Sequence, residues 1–338
     1  METTSLSTSY WPPGNEITLK NATMETNITL SQNCGINQDF LMVLLPIIYS
    51  FIFITGLLSN VSALLVFFIV QTKKNSIHVY LINMAFADLL LIVCLPFRIA
   101  YHANHDQWLL GNYFCRVIGI LFYLNMYVSI VLLGLISIDR YLKIIKPLQH
   151  YKLKDASRSC MICGIIWSFS ILIGIMELWN TATDNSNKCF HYREKPHSKI
   201  IINLVIVLIF WLVFFLLIIS YAKIARRLSK LSREKPQLPN KKVFNNVVMK
   251  TFIIPIIFTI CFVPFHISRF FYIASQLQQG SCYWKNMANK TNEISLLLSA
   301  FNSCLDPIMY FLLSKTVRKT ILSLITGKFQ KDSRSETT

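Results

Sequence analysis

Charge is scarce in this chain. Only 14% of its 338 residues are Asp, Glu, Lys or Arg, against about a quarter in ordinary soluble domains. Acid is scarcer still, with 16 Asp or Glu facing 33 Lys or Arg. With 54% hydrophobic residues, a soluble domain of this length could not hide its apolar surface in one core; a bilayer could. Further absences narrow the field. No internal repeat is visible, which argues against transporters built from related halves. The histidines, at positions 78, 102, 105, 150, 191, 197 and 266, are scattered, so no clustered ligands for a membrane hydrolase stand out. No Ser/His/Asp constellation does either, and an enzyme is not expected. Met1 to Asn15 have neither a basic start nor an apolar run. No cleavable signal peptide is therefore expected, and the first spanning helix should serve as its own insertion signal.

What is present is apolar run after apolar run, each near the ~20 residues a bilayer helix needs. They lie at about Phe40–Val70, Ile77–Tyr101, Phe114–Ile144, Cys160–Trp179, Ile200–Ala222, Val243–Ala274 and Asn292–Leu313. The expected fold is an all-α membrane protein, a seven-transmembrane helix bundle. It divides into a tail of residues 1–39, a helical body of 40–313 and a second tail of 314–338, where Ser314–Thr320 begin a short amphipathic helix. Pro96, Pro255, Pro264 and Pro307 fall inside runs, which spanning helices tolerate and which often mark bends.

Orientation follows from the basic residues. The segments Lys73–Lys74, Lys143–Arg158, Lys223–Lys250 and Lys315–Arg334 hold 2, 5, 9 and 6 Lys or Arg, or 22 of the 33. The opposite segments are poorer in them and carry acids such as Glu16, Glu25, Asp106, Asp184 and Glu194. Basic-inside counting puts the first set in the cytoplasm and Met1 outside. The net charge of +17 thus reads as a topology signal and a fringe for membrane lipids, not as nucleic-acid binding. Sequons at Asn21 and Asn27 fall in the outer tail, where glycosylation is expected; a third, at Asn289, lies too close to the seventh helix.

Cys34, Cys115, Cys189 and Cys282 sit outside or at the outer rim, where disulfides persist. Four cysteines allow three pairings; we favour Cys115–Cys189 with Cys34–Cys282. Cys94, Cys160, Cys163, Cys261 and Cys304 lie within runs and read as small packing residues.

Polar groups inside helices are costly and point to function. Asp88 lies mid-run in the second helix and Asp306 in the seventh; Asn125 and Ser129, and Asn302 and Asp306, are each four residues apart and so share a helix face. Two carboxylates facing one dry space cannot both ionise cheaply. Either one keeps a proton, or a hard cation bridges them, and sodium is the expected ion. The plainer reading is a hydrogen-bond network that glues helices together. No other cofactor is expected. At the inner end of the third helix stands Asp139-Arg140-Tyr141, Arg140 being 25 residues after Cys115. An adjacent acid and base there can hold each other at rest until a partner releases the guanidinium.

Asn60, Asp88, Cys115, Asp139-Arg140-Tyr141, Trp167, Phe262-Val263-Pro264 and Asp306-Pro307-Ile308-Met309-Tyr310 fall in the order and spacing of rhodopsin-like G-protein-coupled receptors, which the chain resembles from about Ser50 to Phe329. Phe262 and Asp306 sharpen the likeness to the purinergic branch. Leu95-Pro96-Phe97-Arg98-Ile99, Cys189-Phe190-His191-Tyr192-Arg193, Cys282-Tyr283-Trp284-Lys285 and Asn289-Lys290-Thr291-Asn292-Glu293-Ile294 resemble its lysophosphatidylserine receptors. Ser59, where Gly is usual, and a fifth helix without proline depart from the pattern. The resemblance implies a plasma-membrane receptor coupled to a heterotrimeric G protein of the inhibitory class, with arrestin as a further partner. It also implies that Asp139, Arg140, Tyr141, Phe262, Pro264, Asp306, Pro307 and Tyr310 belong to an activation switch.

On the sixth helix Phe262, Phe265 or His266, Arg269 and Tyr272 or Ile273 recur at helical spacing and end in a cation. Arg98 adds a second, Phe122, Tyr123 and Met126 an apolar floor, and Glu293, beside Asn292, a lone acid. Alone, Arg269 could simply snorkel to headgroups and Arg98 could sit in an internal ion pair. Together they suit an anionic amphiphile bearing an amine, since arginine suits phosphate and carboxylate. The expectation is a lysophospholipid, lysophosphatidylserine foremost. Its anionic head would meet Arg269 and its ammonium Glu293 with Asn292. An extracellular nucleotide or nucleotide-sugar, its base on Tyr123, is the alternative.

Overall fold

The computed structural model describes residues 39–70, 75–145, 155–179, 189–190, 196–234, 241–277 and 282–325. They form nine helices: α1 Asp39–Leu65, α2 Ser76–Ala103, α3 Gly111–Ile145, α4 Ala156–Trp179, α5 His197–Glu234, α6 Lys241–Leu277, α7 Cys282–Ala300, α8 Asn302–Leu313 and α9 Lys315–Ile325. A π-helical turn, Val66–Val70, ends the first. Seven stretches are long and apolar enough to cross a membrane, α7 and α8 together supplying the last. Asn21, Asn27 and Cys34 lie outside the described residues.

Outward faces are apolar and exposed, as Val43, Ile165, Leu172, Leu208 and Leu212 show. Water would penalise such surface, whereas hydrocarbon does not. α3 is the axis of the bundle, packing on α2, α4, α5, α6 and α7, and the ring closes where α1 meets α7 and α8. α4 packs on α2 and α3, not appreciably on α5.

The seventh span begins ten residues before the sequence suggests, at Cys282 instead of Asn292. Its first turns, Cys282 to Met287, are exposed or half-buried, whereas Ala288, Asn289, Asn292 and Glu293 further along are buried against neighbouring helices. The span breaks at Phe301. Pro307 has no N–H for the carbonyl four residues earlier, which is Ser303. Asn60 of α1 fills that gap, donating from Nδ2 to Ser303 O at 2.9 Å and to Gly56 O at 3.0 Å. Gly56 lets α1 come this close: a Cβ there would sit 3.1 Å from Ile92 and 3.5 Å from Ser303 Oγ. After α8, Ser314 caps α9 by accepting from Val317 N–H at 3.3 Å.

At the other end of α3, Cys115 is disulfide-bonded to Cys189, Cα to Cα 5.7 Å. Around it Tyr101, Trp108, Phe114 and Phe190 pack edge to face or stacked. The preceding turn uses the left-handed region at His105 and Asp106 (φ 53° and 57°). Asp106 holds it by accepting from His102 Nδ1 at 2.9 Å.

Candidate functional site

Beside the disulfide a cavity of about 190 Å³ opens inside the bundle. Arg98 of α2, Gly119, Phe122 and Tyr123 of α3, Arg269 and Tyr272 of α6, and Asn289, Asn292, Glu293 and Leu296 of α7 line it, with Cys189 and Phe190 at its edge. Arg98, 2% exposed, donates to the Tyr49 hydroxyl at 3.1 Å and reaches Glu293 Oε2 at 3.4 Å. Its guanidinium lies 4.4 Å from the centre of the Phe122 ring and 4.3 Å from that of Phe190. The ion pair is longer than a tight charge-assisted bond of about 2.8 Å. Arg269 has no acid partner among the described residues. It donates to Asn292 Oδ1 and Asn203 Oδ1, both at 3.2 Å, with the Tyr272 ring centre 4.8 Å away. Two further buried donors, Arg98 Nε and Asn289 Nδ2, have no partner among the described residues. The cavity thus offers two cations, one of them neutralised, and spare donors over an aromatic floor.

Deeper in the bundle lies a second polar cluster. Asp88 accepts from Asn125 Nδ2 at 3.3 Å, and Tyr310 OH lies 3.2 Å from both Asp88 Oδ2 and Asn60 Oδ1. Asn302 donates to Asp306 Oδ2 at 2.8 Å. Ser129 Oγ and Asn302 Oδ1 are buried without partners among the described residues, while the Asp306 carboxyl faces that of Asp88 at hydrogen-bond range. Asp88, Asn125, Asn302 and Asp306 are thus joined in one cluster; Ser129, one turn from Asn125 on α3, makes no side-chain bond to them among the described residues. Among the described residues no group of three or more His, Cys, Asp or Glu could hold a metal, so any ion here must rely on hydroxyl and amide oxygens beside the two carboxylates.

At the basic end of α3, Asp139 is 5% exposed, but its Oδ2 lies 2.7 Å from Lys143 Nζ. No ion pair within 4 Å joins it to Arg140 among the described residues, and Arg140 Nε is buried without a partner there. The expected Asp139–Arg140 pair is replaced by Asp139–Lys143. Neighbours on a helix point 100° apart, whereas residues four apart are stacked. Tyr141 packs beside the core and Phe262, fully buried, packs edge to face on Phe258.

The profile of the 7 transmembrane receptor (rhodopsin family) matches residues 59–310. The chain belongs to that family. The receptor is 46% identical over 348 aligned positions to "Probable G-protein coupled receptor 34" of Pan troglodytes, covering 99% of this chain and 91% of the relative. It is 47% identical to the protein of that name in Mus musculus (90% and 83%) and 36% identical to a purinoceptor, number 14 of its kind, of Bos taurus (90% and 92%). These are receptors, not enzymes, and they agree with the purinergic-like branch read from Phe262 and Asp306. The receptor is a multi-pass plasma-membrane protein whose partners are a G protein and a small-molecule ligand.

Of the eight residues expected to line the ligand site, Arg98, Phe122, Tyr123, Arg269, Tyr272, Asn292 and Glu293 do so. His266 does not. Its ring stacks on Phe210 of α5 at 3.5 Å and its Nδ1 donates to Phe262 O at 2.8 Å. The i, i+4 stripe toward Arg269 belongs to Phe265, one position and 100° away. Glu293 is also not a lone acid, since Arg98 pairs with it. Sequence reasoning missed Tyr49 and Asn203. An asparagine within the apolar fifth run was a usable signal for Asn203; nothing in the sequence distinguished Tyr49. The Cys34–Cys282 pairing involves Cys34, outside the described residues.

Proposed function

We propose that this receptor senses an extracellular anionic lysophospholipid, lysophosphatidylserine foremost, with the cavity facing outward and the basic end of α3 facing the cytoplasm. One observation carries the reading: Arg269 is held by two neutral amides while Arg98 is matched by Glu293. The lining charges therefore come to one net positive. A serine phosphodiester, with phosphate, carboxylate and ammonium, has a net charge of one negative. It can place an oxyanion on Arg269 and insert its zwitterion between Arg98 and Glu293, leaving every charge paired. A nucleoside diphosphate brings more negative charge and no ammonium. Identity to a purinoceptor keeps it as the second reading.

A cavity of about 190 Å³ suits a head group and not an acyl chain, since sites for whole drug-sized ligands run to roughly 300–1,000 Å³. The chain would leave past Tyr123 and Phe265 between α4 and α5, the two neighbours that scarcely touch. Sodium between Asp88 and Asp306 is supported by their facing carboxyls and by the unpartnered oxygens of Ser129 and Asn302, because hard cations favour such ligands. Coupling to the inhibitory class of G protein, and arrestin as a second partner at the basic end, rest on the likeness to the purinergic branch.

The test is a panel of serine-headed lysolipid, amine-free lysolipids and nucleotides applied to cells reporting G-protein activation. The reading requires the serine-headed lipid to be most potent. A response confined to nucleotides would replace it.

A further inference from the structure

We infer that Lys143 is a positioning residue of the switch: it holds the Asp139 carboxylate along α3 and so keeps it away from Arg140. The two groups are four residues apart, with the acid toward the N-terminus, the favoured order for a helical ion pair. Their atoms meet at 2.7 Å as an ion pair without hydrogen-bond alignment, with Asp139 5% exposed and Lys143 35% exposed. Asp139 has a choice of two cations, and in this conformation Lys143 holds it. The surroundings leave that choice to Lys143. Tyr221 donates to Ser137 and Tyr80 accepts from Ser159, each at 3.2 Å, and among the described residues no hydrogen bond joins either phenol to Asp139 or Arg140. Arg140, half-buried and without an acid within 4 Å among the described residues, is thereby left available to a partner from the cytoplasmic side. The arrangement sets ligand-free signalling: Lys143 competes for the acid that would otherwise restrain the arginine. A consequence is that removing the Asp139 charge releases little, because Arg140 is already released.

The experiment measures ligand-free nucleotide exchange on added G protein by the full-length receptor in membranes, normalised to surface receptor. Lys143→Gln should lower basal exchange by roughly two- to fivefold, the shift a partly exposed ion pair can impose. Lys143→Arg, which keeps the charge, should recover most of it. In an Asp139→Asn background Lys143→Gln should have no further effect, because the acid it guards is gone. If Lys143→Gln leaves basal exchange unchanged or raises it, the inference fails. It fails equally if the loss is the same size in both backgrounds, for then Lys143 touches the G protein or lipid and does not act through Asp139.

Discussion

Arg98 and Glu293 meet at 3.4 Å across the cavity, joining α2 to α7. Each was legible as a pocket charge, and an internal ion pair was one reading of Arg98. Glu293 as its partner was not legible, and the pairing alters what a ligand must do. A ligand with only an anion would take Arg98 from Glu293 and strand a buried carboxylate, which is costly. A zwitterion replaces both halves of the pair.

Glu293→Gln should therefore penalise amine-bearing head groups selectively. Potencies of serine-headed and amine-free lysolipids, measured as concentration-response curves on the same cells, should converge. Undiminished preference for the serine head would remove Glu293 from ammonium recognition.

Loss of Arg269 should cost more. Its hydrogen-bond partners, Asn292 and Asn203, are amides, so its charge is available, and a buried charge-assisted contact is worth ~2–5 kcal/mol, more than tenfold in affinity. Arg269→Ala should right-shift the lysolipid response by at least that factor. Arg269→Lys should rescue only in part, since a single ammonium cannot address Asn203, Asn292 and an oxyanion with the planar fork's geometry.

The contrast with His266 shows where sequence reading stopped. Seven spans were legible because run length and apolarity need no knowledge of neighbours, and the stripe through Arg269 because helical periodicity is local. Which of two adjacent residues faces the cavity was not legible, since helix rotation is set by packing; Phe210 of α5 takes His266. The start of α7 was missed because its opening turns are polar and give no apolar run, and only from Ala288 on does packing bury it. His266→Phe should accordingly keep lysolipid affinity within about threefold in a binding assay, because stacking on Phe210 survives and only the bond to Phe262 O is lost. A tenfold loss would put the imidazole in the ligand site.

The disulfide offers a test of stability. Cys115–Cys189 anchors Phe190, whose ring covers Arg98 at 4.3 Å. Cys115→Ala with Cys189→Ala should reduce surface expression, as native disulfides contribute ~2–5 kcal/mol, and should weaken agonist response in the receptor that does reach the surface.

A last test concerns Asn60, which joins α1 to the break in the seventh span. Pro307 leaves Ser303 O without its helical donor; Asn60 Nδ2 replaces it at 2.9 Å, and Asn60 Oδ1 lies 3.2 Å from Tyr310 OH. Asn60→Ala would strand a buried carbonyl and remove one of the two acceptors beside the tyrosine, at ~1–3 kcal/mol for each buried polar group left unpaired. Purified receptor should melt several degrees lower in detergent. Asn60→Asp separates the two contacts. It keeps an acceptor for Tyr310 but as a carboxylate cannot donate to Ser303 O, and it sets a third acid beside Asp88 and Asp306. It should therefore be at least as destabilising as alanine. If Asn60→Asp is tolerated while Asn60→Ala is not, the bond to Tyr310 matters more than the repair of the proline break.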